Sequence, residues 1–265
     1  MIPFAKAHAC GNDFLIIEEQ HAQRRHAELA RRLCARHTGL GADGIEFLER
    51  RGNAEFFLRL FNSDGSEAEL SGNGTRCVAA FLSMSEGLAE VIFGTHGGAR
   101  SCRVVEAAAP LFRIESSMGI PRFMPRTIEV PGVGAVAGAM VNVGNPHFVL
   151  FTDADDFGAY GLPWQDLGAR ISSSPLFPHG TNVEFVRMHA ADRIEFRIFE
   201  RGCGPTTSSG TGTCAAASAA IALRGAARTL SAVAEGGTQD VVWPANDRPM
   251  LLTGPAELIA QGTAW

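Results

Sequence analysis

One segment of this chain is written twice. Residues 56–75 (FFLRLFNSDGSEAELSGNGT) and 194–213 (IEFRIFERGCGPTTSSGTGT) align at a constant offset of 138. Arg59 matches Arg197, Phe61 matches Phe199, Ser71 matches Ser209, and Gly72, Gly74 and Thr75 match Gly210, Gly212 and Thr213. Each copy runs from an alternating strand through a polar loop into a Ser-Gly-x-Gly-Thr turn, then into an Ala-rich segment with helical character. Such a duplication predicts two similar lobes that face each other, with Ser71 and Ser209 at opposing helix N-termini beside one small ligand.

The rest of the chain agrees with that plan. Short strands outnumber helices. Strands are predicted over 14–17, 44–49, 56–61, 90–93, 102–107 and 111–115, with a helix over 21–37 ended by Gly39 and Gly41. A helix over 74–84 carries Cys77, Ala80, Phe81 and Met84 at helical spacing. The second half repeats the order: a strand ending at Met140, strands over 148–151, 181–186, 193–199, 241–243 and 250–253, and helices over 164–171 and 211–224. Pro121, Pro125 and Pro131 give GIPRFMPRTIEVPG the most linker-like composition of the chain. The boundary is therefore placed at 118, between an N-terminal α/β lobe (1–117) and a C-terminal α/β lobe (118–265) whose last few residues can return to the first. The predicted fold class is α/β. Two pseudo-symmetric lobes each wrap a mixed, curled β-sheet around a central helix, because a helix with Ala, Cys and Phe on its faces needs cover all round. The active site is expected in the cleft between them.

Composition excludes several functions. A formal net charge of -5 and the lack of a long Lys/Arg block argue against a nucleic-acid surface. No apolar run is long enough for a bilayer, and MIPFAKAHACGNDFLII lacks a signal-peptide pattern. The six cysteines are scattered, which fits a reducing cytoplasm better than a disulfide scaffold. No HExxH, paired Cys-x-x-Cys or GxxxxGK[ST] occurs, so neither a metal site nor a P-loop is expected. His8 and His147 lie near the turns Gly11-Asn12 and Gly144-Asn145 and are read as structural.

The chemistry suggested by the repeat is anion binding. N–H groups at a helix start lack intrahelical acceptors and carry the positive end of the helix dipole, and glycine lets them approach a ligand closely. A single Ser-Gly-x-Gly is first of all a helix cap. Two copies with Arg59 and Phe61 also repeated point past capping, toward a carboxylate or phosphate guest.

Together KAHACGNDF (6–14), GLGADG (39–44), FNSDGSEAELSGNGTRC (61–77), VGNPHFV (143–149), GTNVEF (180–185) and ERGCGPTTSSGTGTC (200–214) resemble diaminopimelate epimerase, of the cofactor-independent racemase and epimerase superfamily. The resemblance implies two α/β lobes closing over an amino-acid substrate, usually in a homodimer, with no cofactor. It implies a two-base reaction that removes the α-proton and returns it on the other face. Asn12, Asn62, Asn145 and Asn182 would bind substrate carboxylate or amine groups. Glu200 would accept from the distal ammonium, and Arg201 would pair with the distal carboxylate. The N–H groups of Gly72, Asn73, Gly210 and Thr211 would hold the α-carboxylate and stabilise the charge that develops there on deprotonation.

Three positions depart from the family pattern. Ser71 and Ser209 stand where the family has its catalytic cysteines. Gly44 replaces the usual Gln, and Pro205 stands where ERG-x-GET has a carboxylate. A thiol of pKa about 8.5 can be brought near neutrality at a helix start, whereas a hydroxyl is a far weaker acid. Three readings stay open: epimerisation of diaminopimelate, isomerisation or dehydration of another substrate, or amino-acid binding without turnover, as in a scaffold disabled by a designed cysteine-to-serine exchange. Cys10 and Cys203 border the motif loops as small fillers, Cys77 and Cys214 are expected in the core, and the thiols of Cys10 and Cys203 are not expected both to reach the α-carbon.

Overall fold

A helix that is apolar on every side can be stable in water only if a sheet curls round it. Both Ala-rich segments meet that condition in the computed structural model, which describes residues 1–52, 55–68 and 71–265. Asn53, Ala54, Glu69 and Leu70 lie outside the described residues, the last two within the duplicated stretch. The backbone forms two units, Met1–Ser117 with Thr253–Trp265, and Met118–Leu252.

The first unit contains β1 (Ile2–Ala9), β2 (Asn12–Glu18), α1 (His26–Leu33), β3 (Gly44–Arg50), β4 (Glu55–Asn62), β5 (Glu67–Ala68), α2 (Gly72–Glu86), β6 (Glu90–Gly94), β7 (Arg100–Ala108) and β8 (Leu111–Ser117). Its sheet is mixed: β2 runs parallel to β3 and β4 parallel to β6, while β1–β2, β3–β4, β6–β7 and β7–β8 are antiparallel. Ala7, Phe14, Ile16, Leu48, Phe56, Phe93 and Ile114 pack on Cys77, Val78, Ala80 and Leu82 of α2. The other face of β2 and β3 buries Leu15, Ile17, Ile45 and Phe47 under Leu29 and Leu33 of α1. A sheet covered on both faces loses the polar alternation of a half-exposed strand.

The second unit contains β9 (Arg122–Val130), β10 (Gly134–Asn142), β11 (Pro146–Phe151), α3 (Trp164–Ser172), β12 (Asn182–Ala190), β13 (Arg193–Glu200), β14 (Gly204–Thr206), α4 (Gly210–Arg224), β15 (Thr229–Ala234) and β16 (Gly237–Val242). The strand directions repeat, with β11 parallel to β12 and β13 parallel to β15 between antiparallel pairs. Here α4 is enclosed by Val149, Val186, Ile194, Phe196, Leu230 and Trp243, and α3 covers the opposite face with Leu167 and Ile171. The bounds of β4 and α2 recur at the same offset of 138 in β13 and α4. Finally β17 (Leu251–Ala264) pairs antiparallel with β1 and also pairs with β8, so the first sheet closes on itself around α2.

Two predicted elements change. The helix expected over 21–37 is confined to α1, because Glu19–His21 form a 3₁₀ turn and Gln23 and Arg24 adopt left-handed φ values of 48° and 62°. The Pro-rich stretch is not a linker but mostly β9, with Pro125 opposite Ala139 of β10. Proline is tolerated in a strand where its missing N–H faces away from the ladder.

Candidate active site

Each Ser-Gly-x-Gly turn forms the same cap. Ser71 precedes α2 in an extended conformation (φ -121°, ψ 123°), and its Oγ accepts from the Gly74 N–H at 3.0 Å. Ser209 precedes α4 likewise (φ -147°, ψ 128°), and its Oγ accepts from the Gly212 N–H at 3.2 Å. The serine uses only the N–H of the third helical residue. Gly72 and Asn73 in one unit, and Gly210 and Thr211 in the other, occupy the first two helical positions, whose N–H groups have no intrahelical acceptor. The repeated threonines brace the turns from behind, Thr75 Oγ1 donating to Gly72 O and Thr213 Oγ1 to Ser209 O.

The two serines differ in their neighbours. In the second unit the Glu200 carboxyl lies near the hydroxyls of Ser209 and Thr206. Burial pushes the Glu200 pKa up; the nearby Ser209 hydroxyl opposes this, and the nearby Glu184 adds to it. A carboxylate that binds protons more readily is a better acceptor for the serine proton. Glu184 is wholly buried, with Oε1 2.6 Å from Nδ1 of His147, whose Nε2 lies 2.8 Å from Oδ1 of Asn145. Glu184, His147 and Asn145 are linked by hydrogen bonds, and Glu200 and Ser209 lie near this group. His147, expected to be structural, is part of it.

Several predicted ligand residues are engaged within their own unit. Asn12 donates from Nδ2 to Asp43 Oδ2 at 2.6 Å and accepts at Oδ1 from Asn73 Nδ2 at 3.1 Å. Asn73 in turn accepts from the buried Arg76 guanidinium, and Arg36 bridges Asp43 to Asp13. Side-chain amides held in this way fix the β1–β2 turn to the start of α2. Asn62 donates to Ser66 Oγ, and Asn182 Oδ1 accepts from the Arg201 N–H at 2.9 Å. The Arg201 side chain is exposed, with one long contact to His179 O at 3.4 Å.

Gly44 is glycine for a packing reason. A Cβ there would stand 2.8 Å from the Phe61 carbonyl oxygen and 3.2 Å from Leu60 Cδ1, so this backbone has no room for a longer side chain. Pro205 is exposed in β14, opposite Phe199. Cys10 is buried in a left-handed turn and Cys203 is exposed, while Cys77 and Cys214 lie in the two cores.

Comparison with known proteins follows the same layout. The family model for diaminopimelate epimerase matches residues 4–124 and 139–259. The chain belongs to this family. It is 34% identical over 283 residues to a diaminopimelate epimerase of Synechocystis sp., covering 99% of each chain. It is 37% identical over 281 residues to the Bacillus velezensis diaminopimelate epimerase, covering 98% of this chain and 97% of the relative. A solved hydroxyproline epimerase from Agrobacterium vitis shares the fold at 14% identity, with a TM-score of 0.70 over 98% of this chain and 90% of that one. Within the diaminopimelate epimerase family frame, the residues that sequence reasoning missed are Glu46 and Glu184. Their signal was present, since GIEF and NVEF carry a glutamate at the same offset of 138 as the turns.

Proposed function

We propose that the chain interconverts LL- and meso-diaminopimelate by cofactor-independent exchange of the α-proton, with Ser71 and Ser209 as the transferring groups. What supports this reading most directly is the nearness of the Glu200 carboxyl to the Ser209 hydroxyl that caps α4. As the Ser209 oxygen takes the α-proton, its own proton passes to Glu200, and the C–H electron pair moves into the substrate carboxylate. The N–H groups of Gly72, Asn73, Gly210 and Thr211 are assigned to that carboxylate, where the charge grows. Ser71 then gives its hydroxyl proton to the α-carbon to restore the C–H bond, and the proton held by Glu200 returns to Ser71 through solvent, so that both serines end as hydroxyls; the reverse reaction exchanges their tasks. Asn12, Asn62, Asn145 and Asn182 orient the substrate, Glu200 is assigned to proton acceptance rather than to the distal ammonium, and Arg201 takes the distal carboxylate.

One observation favours a second reading. The tight packing at Gly44 leaves no polar side chain at the start of β3, which suits an isomerase for a different amino acid. No helix among the described residues is long and apolar enough to cross a membrane. We further infer a cytoplasmic homodimer from the family resemblance, testable by light scattering.

Incubation of LL-diaminopimelate in deuterated water, followed by NMR, separates these readings. Exchange of the α-proton with appearance of the meso form is expected. Exchange of another amino acid alone would move the assignment to the second reading, and silence toward every amino acid would overturn both.

A further inference from the structure

Beneath each Ser-Gly-x-Gly turn lies a buried glutamate. A Cβ built on Gly74 would fall on Oε1 of Glu46, and one built on Gly212 would lie 3.1 Å from Oε1 of Glu184. The second glycine of each turn thus lies against a carboxyl, alone at Gly74 and beside the closer Ile198 Cδ1 (2.5 Å) at Gly212. The two differ in one respect. Glu184 is matched by His147, whereas Oε1 of Glu46 is buried with no hydrogen-bond partner among the described residues, and the residue is 1% exposed.

We propose that Glu46 is a positioning residue for carboxylate binding at the α2 turn: neutral, it leaves the N–H groups of that turn to the ligand, and ionised, it competes for them. The proposal rests on the reading that Gly72 and Asn73 hold a ligand carboxylate. The carboxyl touches the first turn of a 15-residue helix, where a negative charge interacts with the same N–H groups that would receive the ligand. Burial alone raises the Glu46 pKa, to about 8, so the group changes charge in a range where the protein can be assayed. On its strand neighbours Ile16 of β2 and Leu60 of β4 stand opposite it. From α2 come Arg76, whose Nη2 donates to Asn73, and Cys77, whose thiol is pushed up by burial; Cys10 of the β1–β2 turn and Asp13 of β2 complete the set around Cys77. Asp13 is held low by Arg36 and Lys6 against the effect of its own burial, so it is already ionised and constant near pH 8.

The test needs no turnover. In amide NMR spectra of the unliganded protein between pH 6 and 10, Gly72, Asn73 and Gly74 are expected to shift with a midpoint near 8. In Glu46→Gln those shifts are expected to vanish; Glu46→Leu serves if the glutamine variant does not fold. With diaminopimelate as substrate, the wild-type KM should rise about tenfold relative to Glu46→Gln between pH 7 and 9, corresponding to one pKa unit of coupling, with kcat little changed. Identical amide titrations in wild type and variant, or parallel KM profiles, would overturn the proposal. If neither protein turns over diaminopimelate, the epimerase reading fails while the amide titration still decides the role of Glu46: titrating amides support it and flat ones sink it.

Discussion

Nδ1 of His147 lies 2.6 Å from Oε1 of Glu184, and neither side chain reaches solvent. With Asn145 Oδ1 accepting from Nε2–H, the proton between His147 and Glu184 belongs to either partner, and the pair is neutral as a whole. His147→Ala leaves the carboxyl buried without its partner. It should destabilise the protein by about 3 kcal/mol in urea unfolding at pH 7, with Glu184→Gln costing about 1 to 2 kcal/mol because a hydrogen bond survives. Equal, small losses for both would mean that the pair is hydrated in solution.

Glu46 gives a pH dependence of stability with a defined sign. Its pKa is raised from 4.5 to about 8 in the folded protein, so the folded state binds the proton more tightly than the unfolded chain. The associated stabilisation is fully present below 4.5 and lost as pH rises through 8. Relative to Glu46→Gln, the wild type should lose on the order of 4 to 5 kcal/mol across that window in urea unfolding. A constant difference between the two proteins would place the ordinary carboxylate pKa on Glu46.

The contact of Glu46 with Gly74 predicts energetic coupling. Gly74→Ala should cost about 2 to 3 kcal/mol by overpacking. In a Glu46→Ala background the cost should fall by half or more, since the added methyl group then enters vacated space. Thermal unfolding of the four proteins of this double-mutant cycle measures the coupling, and additivity would mean that the two residues do not touch in solution.

Ser209 predicts a separation of stability from turnover. Ser209→Ala removes the cap at a cost of about 1 kcal/mol and should abolish α-proton exchange. Glu200→Gln should lower kcat about 100-fold or more with a smaller effect on KM, since the variant cannot accept the proton. Ser71→Cys with Ser209→Cys should raise kcat above wild type, because a thiolate is available near neutral pH and an alkoxide is not. A slower double-cysteine protein would mean that the turns are shaped for hydroxyls.

The sequence by itself determined the helices that carry the serines and the strands that lead to them. In both copies the alternation of β4 and β13, the glycine turn and the apolar helix act through local sterics and burial, which residue spacing expresses directly. Gln23 and Arg24 were harder to read, because left-handed backbone at such residues is imposed by surroundings, here the docking of His26 on Phe47 and Phe61. Tertiary structure alone decided the fate of Glu46, Glu184 and His147. The glutamates repeat in the sequence, but a strand buried on one face and a strand buried on both can carry the same residues. Only the covering of β3 and β12 from both sides takes their carboxyls out of water. Desolvation then leaves one a lone acid and ties the other to a histidine 37 residues away.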